Sequence, residues 1–440
     1  MLNNQQRKLI ARKTRAFLKN HPKIKKFILK YALDLDQIVL KKDEHLNTKP
    51  ITITDKETQE KLKQYQLIVN EYNKLIKNEI IIYFFGKMGQ TYQIKQWIDT
   101  FIELHKKHRI IVVVRYQNVQ EYFTKILPFP IKYCNTIDDV LTFYDTVEPK
   151  SIIYINNGFK NFQSLIYEKA LHVHINHGES DKASDHSNQV KGYDYIFVHG
   201  PNGYNNYMKY LIKLNPKQLI ITGRPQLDFI SPITLNTFNK KVILYAPTWE
   251  ATHRSMRYTS VDIYGEQIVN KILEDNKYFL IYKPHPNLGA NDKNVLRIHK
   301  SLMQKIDSHK YAITITNEDV NNIYPIVDCA IFDMSSIMTD YLNVNKPFLL
   351  ADVFDPLVHT ISDYNVLKGC NKLTTDNIEY LIEIIDKEIN DDKMKEKRQK
   401  IKELYLGDYK QGESIQKFIN SISQIITQRD QEILKKDIEG

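Results

Sequence analysis

Two histidines and a pair of serines lie where proton transfer and anion binding could be carried out. His177 is followed by Gly178, Glu179, Ser180, Asp181 and Lys182. A histidine titrates near working pH and can take a proton from an attacking hydroxyl; Glu179 and Asp181 are candidates to orient it, and Gly178 allows close backbone approach. Lys283-Pro284-His285-Pro286 holds a second histidine between prolines, suited to fixing it against a pyrophosphate. Asp333-Met334-Ser335-Ser336 precedes an apolar helical stretch, where free N–H groups and the helix dipole favour an anion. Tyr245-Ala246-Pro247-Thr248-Trp249-Glu250 supplies a hydroxyl for phosphate or ribose and an indole to wall a pocket. Each segment has a plainer reading as residue types alone: a polar loop, a tight turn, a helix cap.

The elements that position them follow from the hydrophobic pattern. Short apolar runs near 79–85, 110–114, 152–155, 172–175 and 195–198 alternate with helical stretches. A second series occupies 242–245, 279–282, 312–316, 329–332 and 348–350. Such alternation predicts parallel sheets covered on both faces, here two Rossmann-like α/β domains in tandem. All four segments fall after a strand, the end at which such folds bind ligands. The division expected is a basic helical segment over 1–70, an acceptor domain over 71–235 and a donor domain over 236–440, closed by a long helix over 413–435. No P-loop, dinucleotide fingerprint or zinc spacing is present.

Charge is local. The chain of 440 residues has 62 basic and 52 acidic side chains, and ten of the basic ones lie in residues 1–33 beside no acid. In the second half of this head Ile24, Phe27, Ile28, Tyr31 and Leu35 share one helical face among lysines. A basic amphipathic helix suits an anionic inner-membrane surface through residues 1–35, the alternative being a helix packed on the first domain. Few aromatics interleave, so nucleic acid is not expected as a partner. Cys134, Cys329 and Cys370 are odd in number and widely spaced, which fits a reducing compartment. No apolar stretch is long enough to span a bilayer. The location expected is cytoplasmic, peripheral on the inner face of the membrane.

Taken in order, the segments resemble the CDP-glycerol glycerophosphotransferase family, the teichoic acid and capsule polymerases. The resemblance rests on His177-Gly178, Tyr193-Asp194-Tyr195, Thr222-Gly223-Arg224-Pro225-Gln226-Leu227-Asp228, Tyr245 to Trp249, His285-Pro286, Asp333 to Ser336, and Tyr409 to Ser414. It departs where Met334 replaces the aromatic residue of the family's Asp-Tyr-Ser-Ser, and where Gly178-Glu179-Ser180 stands instead of Gly-Thr-Pro, a variant associated with capsule-type branches. The resemblance implies a GT-B-like pair of domains and transfer of a polyol phosphate from CDP-glycerol or CDP-ribitol to a polyol-phosphate or glycan hydroxyl, with release of CMP. His177 would be the base. His285, Ser335 and Ser336 would hold the pyrophosphate with help from Thr248, Trp249 and Asp333. No dedicated metal cage is implied, and a loosely held Mg²⁺ is compatible with it. The competing readings are a GT-B glycosyltransferase using a nucleotide sugar and a membrane-bound scaffold without turnover.

Overall fold

The computed structural model describes residues 79–181, 187–355, 357 and 364–439. The basic head, and with it the 1–70 segment and the membrane-binding expectation for 1–35, lies outside the described residues.

Among the described residues, thirteen strands form two all-parallel sheets. The first comprises β1 (Ile80–Phe84), β2 (Ile110–Val114), β3 (Ile131–Tyr133), β4 (Ser151–Tyr154), β5 (Leu171–His174), β6 (Tyr195–Val198) and β7 (Leu219–Ile221), in the order β3-β2-β1-β4-β5-β6-β7. The second comprises β8 (Lys241–Ala246), β9 (Tyr278–Tyr282), β10 (Ala312–Thr314), β11 (Cys329–Phe332), β12 (Phe348–Ala351) and β13 (Asn371–Leu373), in the order β10-β9-β8-β11-β12-β13. In both the order reverses beside the first strand, which opens a crevice at the carboxyl ends. The two Rossmann-like domains expected from the apolar runs are therefore present.

The central strands are buried along their whole length, which explains their unbroken runs of aliphatic and aromatic residues. On one face of the first sheet lie α1 (Ile98–Lys107) and α2 (Gln117–Ile126), and on the other α3 (Ile137–Val147) and α4 (Pro201–Tyr210). The second sheet is covered on one face by α5 (Glu266–Asp275), α6 (Lys293–Asp307) and, further on, α8 (Leu381–Asn390). Its other face carries α7 (Ser336–Tyr341) and α9 (Lys395–Leu406). Cys134, Cys329 and Cys370 are all free and buried.

The chain then returns to the first sheet. In α10 (Glu413–Glu439), Ile415, Phe418, Ile419, Ile422, Ile425 and Ile426 repeat at helical spacing and enter the core of β1, β2 and β4. Phe418 is fully buried between Trp97 and Phe197, with ring centroids 5.5 Å from each. The sequence division grouped this helix with the second sheet; its apolar face packs on the first.

Truncating that contact should weaken the first domain. Phe418→Ala removes a buried aromatic side chain and should destabilise by ~3–5 kcal/mol. Thermal unfolding would show this as a midpoint lowered by several degrees, and an unmoved midpoint would mean that α10 does not close the first core.

Candidate functional site

β5 ends in a sharp turn at Asn176, whose φ of 54° is left-handed, a conformation asparagine tolerates. The Asn176 carbonyl accepts from Trp97 Nε1 at 3.1 Å, and its side-chain oxygen accepts from the His177 N–H at 2.8 Å. This turn sets His177 at the rim of the first sheet, with its Nδ1 buried and without a hydrogen-bond partner. Burial, and after it the positive charge of Arg224, lowers its pKa to about 4. The ring is therefore neutral at physiological pH and holds a lone pair, the state required of a base.

Across the crevice, β11 runs through Asp333 into α7. Ser335 does not cap this helix as expected from its position: its Oγ donates to the Asp333 carbonyl at 3.2 Å. Ser336 begins the helix and lies against the His177 loop so tightly that a Cβ on Gly178 would come within 2.8 Å of Ser336 Oγ. Gly178 is thus required by the approach of two domains.

A buried ion pair fixes that approach. Arg224 follows β7, and its Nε and Nη2 reach the two carboxylate oxygens of Asp340 on α7 at 3.1 Å each. The same guanidinium donates to Gln96 Oε1 at 2.8 Å and to the His177 carbonyl at 3.3 Å. Thr339 on α7 adds a bond from its hydroxyl to the Glu179 carbonyl at 3.0 Å. One arginine therefore ties the His177 turn to the helix that starts at Ser336.

His285 comes to the same place from β9. Its backbone N–H donates to the Pro247 carbonyl at 3.2 Å, and its Nδ1 accepts from the Asn287 N–H at 3.0 Å, which puts the ring proton on Nε2 as a donor. The ring stacks on Trp249, with centroids 5.8 Å apart and planes 12° from parallel. Tyr92 meets His285 edge-on at 5.7 Å and His177 at 6.2 Å, so a single phenol ring contacts both histidines.

The acids are placed differently from the sequence reading. Glu179 turns away from His177; its Oε1 accepts from the His199 N–H at 2.8 Å. Asp181 accepts from Asn202 at 2.9 Å, from Asn206 at 3.0 Å and from the Tyr405 hydroxyl. Neither orients the histidine, because the turn after His177 points both into the protein. Asp333 is fully buried and accepts from the backbone N–H groups of Thr248 at 2.8 Å and Ser260 at 3.1 Å. It braces the Thr248 loop. Thr248 itself is buried, beside a half-buried Trp249. Glu250, which drew no separate role in the sequence, accepts from the N–H groups of Gly289, Asn291 and Asp292 and so anchors the chain that follows His285.

Tyr92, Gln96 and Asp340 had no signal in the sequence, and Arg224 was visible only inside a longer segment. Among the described residues, no group of three or more His, Cys, Asp or Glu side chains is placed to hold a metal ion.

Comparison with known proteins places this geometry in context. A teichoic acid poly(ribitol-phosphate) polymerase of Bacillus spizizenii is 25% identical over 187 residues, covering 39% of this chain and 28% of that protein. A teichoic acid glycerol-phosphate primase of Bacillus subtilis is 29% identical over 168 residues, covering 36% and 39%. A teichoic acid poly(glycerol phosphate) polymerase of Staphylococcus epidermidis is 35% identical over 113 residues, covering 25% and 14%. The matched stretch is thus well under half the length of each of these relatives. Among solved structures, the wall teichoic acid polymerase TagF superposes with a TM-score of 0.56 at 15% identity, over 84% of this chain and 98% of that one. A UDP-GlcNAc 2-epimerase from Neisseria meningitidis superposes at 0.52 with 13% identity, over 78% and 100%, so the same two-domain fold is shared beyond the polymerases. The decisive match is to the description CDP-Glycerol:Poly(glycerophosphate) glycerophosphotransferase, which extends over residues 168–424 and takes in His177, Arg224, His285 and Ser336; it covers more than half of the chain, and the protein belongs to that family.

Proposed function

We propose that the chain transfers glycerol phosphate or ribitol phosphate from a CDP-activated donor to a hydroxyl of a cell-surface polymer, teichoic acid or capsule, and releases CMP. The observation that carries this reading is the contact between the His177-Gly178 turn and Ser336 at the start of α7. It brings the turn that carries His177, on one domain, against the start of α7 on the other.

In this reading the donor pyrophosphate lies between α7 and His285, with Ser336 and the His285 Nε2–H as donors and Trp249 fixing the His285 ring. The acceptor hydroxyl sits at His177. Its oxygen attacks the phosphorus that bears the polyol, its proton passes to the imidazole, and the bond to the bridging oxygen breaks so that CMP leaves with the electron pair. Alignment of the two reactants and neutralisation of charge on the transferring group supply the acceleration. Arg224 is a positioning residue, since it grips the carbonyl of His177 and the helix of Ser336 together. The relatives that match are named as glycerol- and ribitol-phosphate enzymes alike, so both donors belong in the test.

The test is acceptor-dependent release of CMP from CDP-glycerol and CDP-ribitol, assayed separately. Turnover of neither donor would overturn the reading. His177→Ala should reduce turnover by ~10²–10⁴-fold while donor binding persists. The base is active when unprotonated, so with a pKa lowered to about 4 the acid limb of kcat/KM should fall near that pH, below the range of an ordinary histidine. A limb that centres near 6.5 would remove the base assignment.

His285→Ala should act on the donor. Loss of the Nε2 donor and of the ring stacked on Trp249 should weaken CDP-polyol binding by ~10-fold or more, a charge-assisted hydrogen bond being worth ~1.5–3 kcal/mol. Unchanged donor affinity by calorimetry would end that role.

The basic head is proposed to hold the protein on the anionic inner face of the membrane. Deleting residues 1–35 should reduce sedimentation with vesicles containing anionic lipid and spare turnover on a soluble acceptor. Persistent sedimentation would place the membrane contact elsewhere.

A further inference from the structure

A second cationic place lies at the carboxyl ends of β1, β2 and β4, beside the transfer site and not used by it. Arg115 follows β2 directly and is only 8% exposed. Its Nη1 donates to the Tyr83 hydroxyl and to Gln163 Oε1, both at 2.9 Å, and its Nη2 donates to the Asn135 carbonyl at 3.0 Å. That occupies three of five N–H groups. No carboxylate is among its partners, and Nε is buried without any.

Arg224 shows what is missing. There the edge formed by Nε and Nη2 holds both oxygens of Asp340. In Arg115 the same edge has no acceptor on Nε and one peptide carbonyl on Nη2. A buried guanidinium without a counter-ion is costly, because desolvation is not offset by attraction. The fold nevertheless keeps it, and adds cations around it. Phe85 lies between two of them, its ring centroid 5.2 Å from Arg115 Cζ and 4.1 Å from Lys160 Nζ. Segments 85–91, 115–117 and 155–163 of this rim contain Lys87, Arg115 and Lys160 and no acid; the segment 134–139, which supplies the Asn135 carbonyl, adds Asp138 and Asp139, and neither carboxylate is bonded to Arg115.

The rim also leads to the base. Asn156, just after β4, donates to Gln93 at 2.8 Å, and Gln93 adjoins Tyr92, whose ring meets His177. Building on the transfer reading, we propose that Arg115, with Lys160, forms an acceptor subsite that binds a phosphodiester of the polyol-phosphate chain whose end hydroxyl lies at His177. A neutral glycan would leave the guanidinium uncompensated. A phosphodiester brings one negative charge on two free oxygens, the pattern that the Nε–Nη2 edge grips. Donor pyrophosphate is not the occupant in this scheme, since its place is on α7 of the other domain.

The experiment compares the full chain with Arg115→Gln and Lys160→Gln on two acceptors, one a short poly(glycerol phosphate) and one a phosphate-free glycan ending in a polyol. CMP release gives KM for each acceptor and for the donor. Binding of a fluorescent glycerol-phosphate oligomer is measured without donor, at low and high salt. Each variant should raise KM for the phosphate-bearing acceptor ~10-fold more than for the phosphate-free one, with weaker and less salt-dependent oligomer binding. Equal effects on both acceptors, or none, would overturn the subsite. If Arg115→Gln does not fold, as judged by its thermal transition, exposed Lys160 decides alone. If the unaltered protein releases no CMP from either donor, the transfer reading fails; oligomer binding then judges the subsite by itself, equal affinity in Lys160→Gln counting against it.

Discussion

The buried pair between Arg224 and Asp340 is the constraint on which the crevice depends. Both residues are 3% exposed; Arg224 follows the last strand of the first sheet, and Asp340 is on α7 of the second. Burial raises the pKa of Asp340, and the guanidinium beside it opposes that shift. Such a pair is tolerable only with good geometry and with its remaining donors satisfied. Here both carboxylate oxygens are held, and the spare guanidinium capacity goes to Gln96 and the His177 carbonyl. Removing one partner would leave a buried charge at the point where the domains meet. The approach of the His177-Gly178 turn to Ser336 is thus set by an interaction that tolerates little adjustment.

A second regularity concerns the acids near the crevice. Glu179, Asp181, Glu250 and Asp333 all lie in segments that also carry candidate site residues, yet each accepts hydrogen bonds from within the protein. Three of them accept from backbone N–H groups that hold a loop in place. A carboxylate aimed at a pyrophosphate would repel it in a medium that screens poorly. Turned inward, the same groups stiffen the turns from which His177, Thr248 and His285 project. What remains at the rim is two imidazoles, hydroxyls and a helix start, a surface to which those four residues add no fixed negative charge.

How far the sequence revealed this arrangement follows from what sequence patterns encode. Buried central strands were legible, because five consecutive apolar residues, as in β1 or β2, suit a strand covered on both faces and leave no polar side for a surface helix. The edge strands β3, β7 and β13 were not; each is three residues long and carries no such run. His177, His285 and the two serines were legible as residues at strand ends, and the structure brings Gly178, next to His177, against Ser336 and links His285 to His177 through Tyr92. The roles read for Glu179 and Asp181 failed because neighbours in the chain need not be neighbours in space. A left-handed turn at Asn176 sends the following side chains inward. Tyr92 was one tyrosine among 28, and only the folded crevice distinguishes it.

The contacts that join the domains also bear on how substrates reach the site. Besides the buried pair, Thr339 bonds Glu179, the Tyr405 hydroxyl bonds Asp181, and Asn365 bonds Asn202 at 3.3 Å. Two of these bridge to the same short segment that carries His177, and α10 adds a helix whose apolar face belongs to the first core although its chain comes from the second. A wide rigid-body opening would have to separate the buried ion pair and break the three hydrogen bonds beside it. Smaller movements do not carry that cost. Under the proposed transfer, donor and acceptor would meet over a floor that stays assembled, the CDP moiety over the second sheet and the polymer end over the first. A floor held in this way orders the reacting groups before either substrate arrives, so less of their alignment has to come from binding energy.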